Sequence, residues 1–404
     1  MTTVERSEMK PVKRQERVVA LDVLRGFAIL GILVVNVELF RGPDYLLSFA
    51  GAGGPSDADA VLATLVAVFA ESKFITTLAF LFGLGFVLQG MRAEARGRSP
   101  GRLLARRMAA LGLFGVVHAV LIWSGDILLT YALIGFLFLL FYRRRPRTLL
   151  VWAGVLISVL FLITALLSAL ALLGAASGDA GAAQSAPQVG FFREFAQSAQ
   201  EAYTSGSYPQ MVVQRLKEVA IFLTFVLLAV GPLVLAMMLV GGAVAREGWI
   251  SDLATHRPEI RRMALVGLSV GLPLNVVYAL LSRAQDDAVA LLAIPPFVIG
   301  APLLALGYIA TGTLLVERFP RAGATRRLAA VGRLALSNYL AQSIVMTAIF
   351  YGLGLYGSVG LAPALGIAAA LISLQLLLSP VYLRRFEQGP AEWLWRRLTY
   401  GRSA

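Results

Sequence analysis

Apolar residues run along this chain in long unbroken blocks. They show neither the alternation of strands nor the one-sided stripe of soluble helices. Ten blocks read as helices: residues 18–40, 61–90, 104–123, 127–142, 148–175, 211–245, 260–282, 289–316, 332–353 and 362–383. A helix crosses a bilayer core with roughly 20 apolar residues. The fourth block is short for this, whereas the second and sixth have room for a bend. The pattern predicts an all-α fold, a polytopic transmembrane helical bundle of about ten spans.

The polar stretches divide the chain further. Residues 1–17 form a basic N-terminal segment, 18–175 a first five-helix bundle, 176–210 an outer loop, 211–383 a second five-helix bundle and 384–404 an amphipathic tail. Within the outer loop, "GAASGDAGAAQSAPQVG" is small and reads as extended. "FFREFAQSAQEAY" then sets Phe191, Phe192, Phe195 and Ala199 at helical spacing. That spacing predicts a short amphipathic helix at the outer interface, either a lid or a plain linker.

Composition agrees with the pattern. The chain is 58% hydrophobic and 15% charged, against about 25% charged in soluble domains. The net charge of +13 would point to nucleic acid in a soluble protein. Here 28 of the 36 Lys and Arg fall in alternate polar segments, 1–17, 91–107, 142–148, 246–262, 317–327 and 384–404. The intervening "WSGD" (123–126) and "GLGLYGSVG" (352–360) carry none. By the positive-inside rule both termini are expected in the cytoplasm, with the lipid bilayer and not nucleic acid as partner. The absence of cysteine excludes disulfides, thiolate catalysis and Cys-based metal sites. No Walker A sequence and no paired His motif occurs, and no metal is expected. No cleavable signal peptide is evident.

Ionisable groups inside apolar spans are costly and tend to mark function. Asp22 and Arg25 stand one turn apart and can pair. Arg25 and Asn36 are eleven residues apart, which separates them by only ~20° around a helix and ~16 Å along it. They therefore define one polar face at two depths, with Glu38 just beyond. Glu71 and Lys73 interrupt the second block, either as a structural ion pair or as functional groups. His118 is the one histidine in a predicted span, and Asp126 follows it in "HAVLIWSGDILLTYALIG". Either His118 is a general base or it is a buried imidazole that bonds between helices. Ser124 completes the residue types of a Ser-His-Asp triad, but nothing resembling a nucleophile elbow surrounds it. His256 lies in a basic loop and reads as solvated. Asn338 and Gln342, four apart, read as amides joining helices. Trp393 and Trp395, beside Arg396 and Arg397, read as an interfacial anchor.

Four stretches resemble the YeiB family of bacterial inner-membrane proteins: "RVVALDVLRGFAILGILVVN", "HAVLIWSGDILLTYALIG", "GRLALSNYLAQS" and "FEQGPAEWLWRRLTY". The likeness runs from about Arg17 to Tyr400. Through "LDVLRG" it extends to the transmembrane acyltransferase superfamily, which includes heparan-α-glucosaminide N-acetyltransferase. The resemblance implies an inner-membrane bundle that takes an acyl group from cytoplasmic acyl-CoA, acetyl-CoA being the expected donor. The group passes to a hydroxyl or amine at the outer face, on a small-molecule, glycan or lipid acceptor. A homodimer is compatible with this reading. In the lysosomal enzyme an Asn late in the first helix and a His in the following loop belong to the site. Asn36 matches the first, but the following loop here offers only Glu38, Arg41, Asp44 and Tyr45.

The resulting expectation gives each residue a role. Arg25, held by Asp22, would bind donor phosphates with Arg106 and Arg107, since guanidinium geometry suits phosphate. His118 would be the base, oriented by Asp126 or Glu71. Asn36 would face the developing oxyanion. Glu38 and Lys73 would lie along the substrate path. The rival expectation is a transporter or exporter of a small solute, with His118, Glu71 and Asp126 as a proton relay.

Overall fold

The computed structural model describes residues 19–44, 57–176, 182–249 and 252–401. The basic segment 1–17, Tyr45 and residues 177–181 of the outer loop lie outside the described residues. Every regular element among the described residues is helical. They run α1 Val19–Arg41, α2 Asp57–Phe69, α3 Lys73–Ala95, α4 Pro100–Val117, α5 Leu128–Phe138 and α6 Pro146–Ala176. Then come α7 Ala182–Thr204, α8 Tyr208–Phe225, α9 Gly231–Glu247, α10 Arg257–Ser269, α11 Gly271–Leu281 and α12 Asp287–Leu291. The last are α13 Ile294–Arg318, α14 Gly323–Arg333, α15 Ala335–Thr347, α16 Leu361–Arg385 and α17 Pro390–Tyr400.

Among the described residues, eight stretches are long and apolar enough to cross a membrane. Helices α14 and α15 meet at 81° and make a ninth if counted as one broken span. The expected tenth, residues 127–142, is instead the 11-residue helix α5. At 1.5 Å per residue α5 covers about 17 Å, little more than half of a bilayer core. Helix α6 shows why lipid is the solvent: Leu162, Leu166 and Leu173 are exposed along an apolar surface that no protein covers. The chain is a multi-pass membrane protein.

Helices from both sides of the outer loop share one core, in which Phe80, Leu84 and Phe138 pack with Leu235, Met238 and Tyr339. A second cluster joins Val37, Phe40 and Trp123 to Phe195, Ala199, Tyr203 and Phe350. The outer-loop helix α7 therefore does more than lie at the interface. It begins at Ala182, earlier than its small residues suggest. It buries the Phe195–Ala199–Tyr203 stripe, spaced four residues apart, while Phe191 stays exposed.

Two local features fix the arginine-rich end of the bundle. Helix α1 crosses α14 so closely that a Cβ on Gly332 would overlap the Asp22 carbonyl, and one on Gly26 would overlap that of Leu328. At the α14–α15 bend, the first N–H groups of α15 lack helical acceptors. Glu392 of α17 supplies one, accepting from Leu336 N at 2.7 Å and Ser337 N at 3.1 Å. Asn338 and Gln342 do join helices as expected, Asn338 donating to Ser379 at 3.2 Å and Gln342 to Gln375 at 2.8 Å.

Candidate active site

A cavity of about 360 Å³ opens among α1, α3, α4, α5, α14, α15 and α17. Its mouth is cationic. Arg25 enters from α1, Arg92 from the end of α3, Arg107 from α4, Arg333 from the end of α14 and Arg396 from α17. The two acids in the wall, Asp22 and Glu392, are engaged: Asp22 pairs with Arg25 at 3.2 Å, and Glu392 caps α15. The Arg107 guanidinium lies 3.8 Å from the centre of the Trp395 ring, and Trp395 Nε1 donates to the Arg107 carbonyl at 3.3 Å. Deeper in, the wall turns apolar with Ile29, Leu81, Phe82, Phe86 and Leu111, then reaches Tyr131 and Tyr339.

Behind Tyr339 lies a buried His–Asp pair. His118 Nδ1 is 2.8 Å from Asp126 Oδ1, with side chains 1% and 2% exposed. The other Asp126 oxygen accepts from Leu129 N at 2.6 Å, at the start of α5. In the neutral ring, Nδ1 donating to this carboxylate leaves the lone pair on Nε2, which has no hydrogen-bond partner among the described residues. The His118 ring centre stands 5.1 Å from that of Tyr339 and 6.3 Å from that of Trp123. The Tyr339 hydroxyl accepts from Ile127 N at 3.3 Å.

The backbone carrying His118 is unusual. Helix α4 widens into a π-helical turn over His118–Ile122, closed by Trp123 N donating to the His118 carbonyl at 2.8 Å. Such turns often accompany functional residues. The freed Leu121 carbonyl accepts from Tyr208 Oη and from Arg215 Nη1, each at 2.8 Å. Helix α8 thus clamps the turn from outside.

On the far side of Trp123 is a second, small pocket of about 30 Å³, lined among others by Ser124, Glu218, Tyr203, Tyr351 and Tyr356. Leu39, near the C-terminal end of α1, and Gly42, just past it, also line it, whereas the large cavity takes its α1 residues from the N-terminal half. Glu218 accepts from the Ser124 hydroxyl, from Tyr203 at 2.7 Å and from Gln214 at 3.1 Å. Burial and then the Glu218 charge push the Tyr203 hydroxyl well above its ordinary pKa, so it stays protonated and donates.

The structure brings together some of the sequence-derived residues and separates others. Asp22, Arg25 and Arg107 share the cavity, and His118 meets Asp126. Arg106 points outward and is exposed, because a helix turns by ~100° between consecutive residues. Glu71 does not orient the imidazole; it accepts from Tyr278 at 2.8 Å. Lys73 is fully buried, donates to the Ala67 carbonyl at 2.6 Å and lies near the Tyr278 and Phe297 rings. Ser72, between Glu71 and Lys73, takes a left-handed φ of 60° at the α2–α3 break. Glu38 pairs with Arg41 at 2.7 Å. Asn36 is half-buried and belongs to neither cavity wall. Ser124 turns to Glu218 and not to His118, which removes the triad. His256 stacks on Trp249 with ring centres 5.4 Å apart. Of the two tail tryptophans, Trp393 is exposed, whereas Trp395 is a cavity wall.

Sequence reasoning passed over Tyr339, Arg333, Trp395 as a wall residue, and Glu218. Glu218 carried a signal: it is an ionisable group followed by the apolar run "VAIFLTFVLLAV". Tyr339 carried none, since a tyrosine in a span is ordinary.

Fold and site together define a polytopic helical membrane protein whose cationic cavity ends beside a buried His–Asp pair. The chain belongs to the YeiB family. It is 37% identical to "Uncharacterized protein YxaH" of Bacillus subtilis (strain 168), over 98% of this chain and 97% of that one. It is 32% identical to "Uncharacterized protein YeiB" of Escherichia coli (strain K12), over 95% of this chain and 96% of that one. The family model described as "Protein of unknown function (DUF418)" matches residues 244–402. No solved structure matches the chain.

Proposed function

We propose that this protein is an inner-membrane acyltransferase that takes an acyl group from cytoplasmic acyl-CoA and passes it to a hydroxyl or amine at the outer face. One observation carries the reading. His118, with Nδ1 engaged by Asp126 and Nε2 unpartnered among the described residues, sits between Tyr339 of the arginine-mouthed cavity and Trp123 of the small pocket. The charge pattern of the loops supports assigning the arginine end to the cytoplasm, with both termini there.

The cavity residues suit acyl-CoA. Guanidinium groups at the mouth match phosphate geometry, and the apolar bore beyond them suits a thioester arm. Its volume falls within the few hundred Å³ usual for ligand pockets. Bound acyl-CoA supplies an activated acyl carbon; the chain supplies position and proton transfer. His118 Nε2 accepts the proton of the acceptor's O–H or N–H as that heteroatom bonds to the acyl carbon. The C–S bond breaks, and His118 returns the proton to the departing thiolate. Asp126 holds the imidazole in this tautomer and offsets its transient charge. The Tyr339 hydroxyl, on the cavity wall, is better placed than Asn36 to donate to the carbonyl oxygen.

The test is thermal unfolding of the purified protein with and without acetyl-CoA. A ligand at 100 times its Kd stabilises by about 2.7 kcal/mol. A shift that Arg107→Ala cuts to about half or less, with transfer lost in His118→Ala, is the expected result. If millimolar acetyl-CoA gives no shift, and the protein moves a solute across proteoliposome membranes, the transporter reading replaces this one.

A further inference from the structure

Helix α17 has two faces, and only one of them belongs to the cavity. The inward face carries Glu392, Trp395, Arg396 and Tyr400 into the cavity wall and buries Ala391 and Thr399. At ~100° per residue, Trp393, Leu394, Arg397 and Leu398 fall on the opposite face. That face is open: Trp393 is 47%, Leu394 41% and Leu398 44% exposed. The Arg397 guanidinium lies 5.3 Å from the centre of the Trp393 ring, so the charge stays on the same side as the apolar groups.

The helix lies across the end of the bundle. Glu392 fastens it to the first N–H groups of α15, and Trp395 Nε1 fastens it to α4 through the Arg107 carbonyl. The connection before it leaves the apolar span α16 at Arg385. Arg333 Nη2 holds that connection by donating to the Glu387 carbonyl at 3.1 Å. The open face of α17 therefore stands where spans end, at the boundary between lipid headgroups and acyl chains.

The residue types match that boundary. Tryptophan and arginine beside leucine make up the outer face of a helix lying in a membrane surface. Arg384, Arg385 and Phe386 add two exposed guanidinium groups and an exposed ring at the end of α16. Between Arg384 and Leu398 the single exposed acid is Glu387. Three exposed guanidinium groups against one carboxylate favour an anion, and their geometry suits phosphate. Leu394 and Leu398, one turn apart, present an apolar strip beside that charge. A free phosphate ion leaves the strip in water, whereas a phospholipid covers it.

We propose that the outer face of α17, with the Arg384–Arg385 pair, binds an anionic phospholipid, and that lipid seated there holds α17 in place as a wall of the cavity. The phosphodiester meets Arg384, Arg385 and Arg397, and an acyl chain lies along Leu394 and Leu398. Lipid binding at this face does not depend on what the cavity accepts, only on the spans standing in a membrane. A ligand that binds the docked helix and not a loosened one shifts the population toward the docked state. The contacts so protected are those of the inward face, Glu392 on α15 and Trp395 on α4.

The experiment measures amide hydrogen exchange of the full-length protein in nanodiscs of phosphatidylcholine, alone or with about one third phosphatidylglycerol. Phosphatidylglycerol is expected to slow exchange across Pro390–Tyr400 by about threefold or more, and at Leu336 and Ser337 with it. Helix α9, Gly231–Glu247, lies in the core and should exchange alike in every sample, which shows the fold intact. The triple variant Arg384→Gln, Arg385→Gln, Arg397→Gln should lose the lipid effect. The pair Arg326→Gln, Arg327→Gln, exposed on α14, should keep it. Equal exchange of α17 in the two lipids overturns the proposal. So does an effect that survives the triple variant, or one that the α14 pair removes as well. Slowing by inorganic phosphate in phosphatidylcholine nanodiscs also overturns it, since the site would then take a free anion. Slowing of α17 without Leu336 and Ser337 upholds the lipid site and overturns its hold on the cavity wall.

Discussion

His118 Nδ1 and Asp126 Oδ1 lie 2.8 Å apart in a nearly dry setting, and the two residues come from opposite ends of a single tight turn. The chain leaves the π-helical turn over His118–Ile122 through the extended Trp123 and enters α5 at Leu128, and the two residues meet across that short connection. The carboxylate is fixed a second time by Leu129 N, so the imidazole is oriented by a group that is itself held.

This arrangement makes Asp126→Asn informative. The substitution keeps size and removes the charge that fixes the imidazole tautomer. General acid–base catalysis contributes about 10²–10⁴-fold, and a loss within that range in acetyl transfer is expected. Acetyl-CoA affinity, read by thermal shift, should stay within about twofold, since Asp126 is no part of the cavity wall. Full transfer activity in this variant would remove the pair from the mechanism.

Arg107 combines charge with a stacked position on Trp395. Hydrogen bonds to charged groups contribute about 1.5–3 kcal/mol, so Arg107→Ala should weaken CoA binding roughly tenfold or more. Arg107→Lys keeps the charge but loses the planar fork and should fall in between. Arg106→Ala serves as control: that side chain is exposed, and titration calorimetry should find CoA affinity unchanged.

Glu392 links the tail to the bend between α14 and α15. Removing its cap by Glu392→Ala should cost about 1–2 kcal/mol. The loss should appear as a lower melting temperature without ligand. A variant as stable as wild type would mean that the N–H groups of Leu336 and Ser337, left without Glu392, find other partners.

The α1–α14 crossing leaves no room for a side chain at Gly332. Gly332→Ala should destabilise by about 1–3 kcal/mol, the usual cost of overpacking, and push Asp22 and Arg25 out of register. Gly154, inside α6, is the opposite case: a Cβ added there would meet no heavy atom within 4 Å. There Gly154→Ala should be neutral or stabilise by up to about 1 kcal/mol. Thermal melts of the pair in one detergent decide the point.

Much of the fold was legible before any coordinates. Block lengths marked the helices, and the break near Glu71 to Lys73 and the shortness of the fourth block were both visible. The outer-loop helix was legible only in its second half, because Phe195 and Ala199 show a stripe and the small residues before them do not. The site was legible where its parts are near in sequence. Asp22–Arg25 and His118–Asp126 could be paired from spacing. Glu71 could not be excluded, because its actual partner Tyr278 is 207 residues away.

The sequence by itself determined the solvent, the helical class and the end of the bundle that gathers positive charge, since these depend on local hydropathy and on counting charges in loops. Only the tertiary structure decided which polar residues meet. Tyr339 reaches His118, Glu218 reaches Ser124 across 94 residues, and Glu392 reaches Ser337 across 55. In an apolar solvent each span forms its own backbone hydrogen bonds, so a helix is specified locally. Its rotation and depth against its neighbours are set by packing, at points such as Gly332, and those two variables choose which side chains share a cavity.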